Sequence, residues 1–200
     1  MSTINVDNIN EYTSAGGVTI DSLAIKDGKI TSANATGLTL VNKTTFSSAA
    51  NVQTDDVFSS TYNNYRIIIN LSAASAQGQL RMRLAASSTV NSSDNYDMSM
   101  SYINYSSGSA SDSTDGSNPH SYWMVGYQSS TVKGDYIFDL HGPANSSSRT
   151  SLNGRYQFID TDGGWVQGST TVDTAYDGYY MYPSAGGTIA GTILTYGYGE

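Results

Sequence analysis

His120 and His141 are the only histidines in the 200-residue chain, and neither has a second histidine two or four positions away. A zinc centre built on them would need carboxylates from distant parts of the sequence. DSTDG at 112–116 and DTDGG at 160–164 carry the oxygen ligands that calcium favours. Neither runs on into a twelve-residue loop closed by Glu, and turn formation by Asp and Gly accounts for both without an ion. No metal and no cofactor is expected. Nucleophilic catalysis would need a serine on a sharp elbow beside a base, yet no G-x-S-x-G is present; GYQSS and GYGE lack its spacing. Carboxylate pairs could assemble from Asp135, Asp139, Asp160 and Asp162, as on any acidic surface, and GTIAGT lacks the lysine of a phosphate loop. No catalytic residue is therefore expected, and the chain is read as a non-enzyme.

Binding chemistry has better material. The chain holds 16 Tyr and 2 Trp, and Tyr176, Tyr179, Tyr180, Tyr182, Tyr196, Tyr198, Trp123 and Trp165 exceed what alternation alone would place inside. Tyr and Trp combine a flat apolar face with a polar handle, which suits stacking on a sugar ring or contact with another protein. Trp123, Trp165, Tyr179, Tyr180, Tyr182 and Tyr196 are the candidate ligand or interface aromatics; the competing reading is that half of them fill a core. Arg81 and Arg83 alternate with Leu80, Met82 and Leu84 in QLRMRLAAS, so they mark a solvated strand face, or else a small anionic contact site.

These side chains must be held by strands. Leu is scarce, Gly, Ser, Thr and Asn are abundant, and only 13% of residues are charged, a composition that favours sheet over helix. In DDVFSSTYNNYRIIINLSAA, Tyr65, Ile67 and Ile69 share one face, while Ile68 joins Arg66 on the other, which is therefore not wholly polar. Tyr96, Met98, Met100 and Tyr102 alternate in the same way, as do Tyr136, Phe138 and Leu140. SSGSASDSTDGSNP at 106–119 has no apolar period and reads as a long loop; GRYQFIDTDGGWVQGSTT reads as a hairpin turning at 160–164. Eight or more short strands without an amphipathic helix predict an all-β protein: an antiparallel β-sandwich, jelly-roll-like, over residues 46–200.

Residues 1–45 differ. Ile4, Val6, Ile9, Val18, Ile20, Leu23 and Ile25 lie on short strands with turn-like AGG, KDG and NATG near by, and Tyr12 is the only aromatic in residues 2–42. Such strands bury too little to stand alone in water. The missing burial comes either from packing on the rest of the chain or from identical chains wound around a three-fold axis. The expected organisation is an N-terminal β-rich anchoring and trimerisation segment followed by the sandwich.

A formal charge of -8 disfavours a phosphate backbone, so no nucleic-acid partner is expected. The absence of cysteine excludes disulfides and thiolate chemistry, and no apolar run is long enough for a helical span, so no membrane insertion and no classical export signal is expected.

INVDNINEYTSAGGVTIDSLAIKDGKI at 4–30, VFSSTYNNYRIIINL at 57–71 and GGTIAGTILTYGY at 186–198 together resemble fibre and virion-surface proteins of tailed bacteriophages, especially those of marine bacteria. The resemblance implies a virion location, a homotrimer, an initial segment held by other virion proteins, and a distal β-domain facing a host-surface polysaccharide or receptor. The chain has no extended repetitive shaft, so a capsid decoration, head fibre or tail adaptor with a purely structural role is the alternative that the resemblance leaves open.

Overall fold

The computed structural model describes residues 18–20, 23–26, 29–30, 37–114, 119–130, 133–158 and 162–199, and the fold among them is strands and turns with no helix. In the N-terminal segment β1 (Val18–Ile20), β2 (Leu23–Lys26) and β3 (Lys29–Ile30) form a three-stranded antiparallel sheet. Its register pairs Val18 with Ile25 and Ile20 with Leu23. Ile4, Val6 and Ile9 lie outside the described residues.

The sandwich follows from β4 (Gly37–Ala49), β5 (Val52–Thr54), β6 (Asn64–Ala74) and β7 (Gly78–Ala86), which pass back and forth between two sheets. The small strand β8 (Thr89–Val90) folds back on β7, and β9 (Tyr96–Asn104) and β10 (Ala110–Thr114) form a hairpin. Next come β11 (Trp123–Gln128), β12 (Gly134–His141), β13 (Ser151–Phe158), β14 (Asp162–Thr170), β15 (Gly178–Pro183) and β16 (Ile189–Gly199).

Pairing is antiparallel throughout, with β4 on β16, β5 on β15, β6 on β12 and β7 on β11. An outgoing strip of four strands is thus matched strand for strand by a returning strip, and β16 and β15 also pair with β6 and β7. This is the jelly roll that the sequence predicts. Two insertions, β9–β10 and β13–β14, extend one sheet to eight strands in the order β10-β9-β14-β13-β12-β6-β16-β4, against a smaller sheet ordered β11-β7-β15-β5.

Three local features depart from the sequence reading. The expected boundary between residues 45 and 46 falls inside β4, whose residues 37–45 pair with β16 as fully as the rest of the strand does. Part of the expected loop at 106–119 is the edge strand β10, whose sequence ASDST is small and mostly polar and so leaves no apolar alternation to read. Its turn is built by Asn104, whose Oδ1 accepts from the backbone N–H of Ser106 and Ser107, both at 3.1 Å. Gly163 and Gly164, expected in a hairpin turn, lie within β14.

Between the sheets the core is aromatic: Tyr65, Tyr96, Trp123, Tyr136, Phe138 and Tyr179 are all buried beside Ile67, Leu80 and Met82. A buried phenol or indole needs a partner, and here most polar tips tie a loop or strand to the core. The Tyr65 hydroxyl donates to the Ser59 carbonyl at 2.9 Å and accepts from the Ser59 N–H at 2.7 Å. Tyr96 likewise donates to Asn91 O and accepts from Leu84 N, both at 3.0 Å, while Tyr136 donates to the Tyr127 carbonyl. Much of the tyrosine surplus is therefore structural. Burial holds the Tyr96 and Tyr136 phenols well above their ordinary range, so they stay protonated and able to donate.

Candidate functional site

Alternation sends Tyr65, Ile67 and Ile69 into the core and turns Arg66, Ile68 and Asn70 outward, and register carries that choice across the whole eight-stranded sheet. One cross-strand row on the outer face reads Leu194, Ile68, Ile137, Arg155, Trp165 and Ser101, on β16, β6, β12, β13, β14 and β9 in turn. A solvated sheet face normally reads as polar, whereas this row is largely apolar and carries a tryptophan that is 57% exposed. Ile103 and Tyr105 are also exposed on this side.

Beside the row lies a groove of about 540 Å³. Ile68 and Ile137 supply its apolar base, and Trp165, Ile103 and Tyr105 stand around it. Asn70, Asp135, Gln157 and Arg155 add amide, carboxylate and guanidinium groups. Tyr105 reaches this place because β14 has no side chain at Gly163: a Cβ built there would collide with the Tyr105 hydroxyl. The neighbouring Gly164 has a different role, since its Cβ would strike the Ser101 carbonyl and the Tyr102 backbone.

A second, smaller depression of about 280 Å³ shares Ile137, Arg155 and Trp165 with the first and is bounded by Arg66, Asp139 and Asn153. Its far wall is cross-linked by hydrogen bonds. Arg66 Nε and Nη2 donate to the two Asp139 oxygens at 2.9 and 2.8 Å, and the Tyr198 hydroxyl donates to the same carboxylate at 2.7 Å. Burial alone would raise the Asp139 carboxyl, but the hydrogen bonds from Arg66 and Tyr198 together outweigh it and hold the group below the usual carboxylate range. Burial and the hydrogen bond to Asp139 push the Tyr198 phenol up to about 12.

The candidate aromatics separate clearly. Trp165 lies on this face, and Tyr196 is half-buried on it between Leu40 of β4 and Arg66 of β6. Tyr180 and Tyr182 are half-buried on the smaller sheet, opposite Arg83 and Arg81. Trp123 and Tyr179 are fully buried and serve the core: the indole donates to the Asp97 carbonyl at 3.1 Å and packs edge-on against Tyr96, and the Tyr179 hydroxyl bonds Thr195 at 2.8 Å. Tyr176 is buried too, its hydroxyl accepting from Asn91 Nδ2 at 2.8 Å.

Sequence reasoning did not single out Arg155, Tyr105 or Ile103. The available signal was apolar residues on the face that alternation assigns to water, at Ile68, Ile137 and Ile103. Of the carboxylates from which a pair could assemble, the three that are described do not converge. Asp135 and Asp139 share the outer face, with Asp139 locked to Arg66, and Asp162 sits on the inward-facing set of β14. Asp160 lies outside the described residues, as do parts of both Asp-Gly segments. Among the described residues no three His, Asp or Glu side chains gather where an ion could be held. No protein-family model matches this chain, and neither a curated protein nor a solved structure matches it.

Proposed function

We propose that the chain is a non-enzymatic virion protein of a tailed phage, a fibre-like appendage whose sandwich attaches to a saccharide on the host surface through the outer face of the large sheet. The observation that carries this reading is Trp165, 57% exposed in the middle of a broad strand face, with an apolar base and several hydrogen-bonding side chains around it. A sugar ring presents an apolar C–H face and a rim of hydroxyls, so it can stack on an indole while amides and carboxylates receive the rim. The N-terminal sheet of β1 to β3 suits an assembly role, being too small to hold together without further burial.

Binding of the full-length protein to susceptible cells, and its ability to block infection, tests this reading. Wild-type protein should bind and block; Trp165→Ala should do neither while unfolding at an unchanged temperature. Wild-type protein that neither binds nor blocks removes the receptor role.

One observation favours a structural role as a head fibre, capsid decoration or tail adaptor. Leu38, Leu40 and Val41 are exposed on the edge strand β4, close after the N-terminal sheet, and an apolar sheet edge is suited to contact with a neighbouring chain. Gold-labelled antibody on intact particles distinguishes the readings: a distal tail position supports attachment, and a repeated position on the head supports decoration.

A further inference from the structure

The smaller sheet also has an outer face, and its side chains form a ladder. Register sets Arg81 of β7 opposite Tyr182 of β15, and Arg83 opposite Tyr180. Arg81 Cζ lies 3.9 Å from the Tyr122 ring centroid, Arg83 Cζ lies 4.9 Å from that of Tyr182, and the Tyr180 and Tyr182 rings are 5.4 Å apart. Both guanidiniums are fixed at Nε. Arg83 donates there to the Ser121 carbonyl at 2.7 Å, and Arg81 to Gln79 Oε1 at 2.9 Å.

Among the described residues neither guanidinium has a carboxylate partner, and the one ion pair there is Arg66 with Asp139, on the other sheet. This is notable in a chain with 17 acidic residues against nine basic ones. A face that only had to stay wet could use Lys or Gln, with no need to hold two cations in place. Stacking and the Nε bonds instead hold the two planar forks before any ligand arrives, which lowers the entropy cost of binding.

We propose that this face is a second binding surface, which takes the carboxylate of an acidic saccharide on Arg81 and Arg83 while the sugar ring lies against the neighbouring tyrosines. A carboxylate matches the guanidinium fork, and a flat aromatic face matches the C–H side of a sugar. The net charge of -8 selects against a densely charged polyphosphate, which the whole protein repels, and in favour of a ligand with sparse negative charge. The site is separate from the Trp165 face and does not depend on its function.

The test uses full-length protein and two probes that differ at one carbon, D-glucuronate and D-glucose, read through the arginine Nε–H resonances. Glucuronate should shift the Arg81 and Arg83 signals saturably, with glucose binding at least tenfold more weakly. Arg81→Lys and Arg83→Lys, which keep the charge and lose the fork, should each weaken glucuronate binding about tenfold. Trp165→Ala should leave it unchanged, so this site and the large-sheet site can fail separately. Equal responses to the two sugars, or no response to either, overturns the proposal. So does inorganic phosphate binding the same arginines as tightly as glucuronate, because the saccharide then contributes nothing. If a lysine variant does not fold, the comparison of the two sugars on wild-type protein still decides.

Discussion

Tyr105 lies over Gly163, its hydroxyl occupying the space a side chain at that position would need. The contact is with the far end of a mobile side chain, so Gly163→Ala can be accommodated by swinging the phenol away. Stability should change by less than about 1 kcal/mol, as for an ordinary surface substitution, while binding to cells falls because one wall of the groove has moved. Gly164→Ala, one residue on, meets backbone at Ser101 and Tyr102 and cannot be relieved that way. It should cost about 1–3 kcal/mol, as overpacking does. Chemical denaturation of the two variants, with a cell-binding assay on the first, checks both outcomes.

The two tryptophans should behave oppositely. Trp165 is exposed and Trp123 fully enclosed. Removing the indole at 165 should abolish attachment with little effect on unfolding. Trp123→Ala should cost about 3–5 kcal/mol through the cavity it leaves and the lost bond to Asp97. Equal destabilisation by both variants would contradict the placement of the outer face.

Asp139 and Asp162 should give pH dependences of opposite sign. Asp139 has a carboxyl pKa lowered in the folded state, so the stability it contributes is present above the unfolded value of 3.8 and is lost as pH falls through the folded value. Asp139→Asn should cost about 1–2 kcal/mol near neutrality, and that difference should vanish in acid. Asp162 is raised by burial, and its Oδ1 has no hydrogen-bond partner among the described residues. Its protonation favours the fold, an advantage fully present below 3.8 and lost as pH rises through the folded value. Asp162→Asn should therefore stabilise the protein at neutral pH and not in acid. Urea midpoints of the three proteins from pH 2 to 7 test both signs.

Removing the N-terminal segment tests its role in assembly. A truncation at residue 45 would cut β4 away from β16, so the informative chain starts at Gly37, where the strand begins. It should be folded and monomeric by light scattering, with the full chain a trimer. Ile20→Asp or Ile25→Asp in the full chain should also disrupt the trimer, since an unpaired charge in an apolar contact costs several kcal/mol. A monomeric full chain removes the stalk, and trimers of the shortened chain move the interface to the sandwich.

Composition and alternation by themselves determined that the chain is all-β, that Tyr65, Ile67 and Ile69, like Tyr136, Phe138 and Leu140, point one way, and that Arg81 and Arg83 point out from their strand. A period of two is a local property: each residue's face follows from its own strand, whatever that strand pairs with. Which outward side chains become neighbours is not local. Arg155 stands beside Trp165, and Ile68 beside Ile137, because pairing brings together strands that are far apart in sequence. The same holds for the aromatics. Trp123 and Trp165 look equivalent in the sequence, but register turned one into the core and left the other on the surface. The edge strand β10 was hidden for a related reason: its sequence ASDST has no apolar alternation, and it pairs with β9 through backbone groups, which no pattern within the strand itself records.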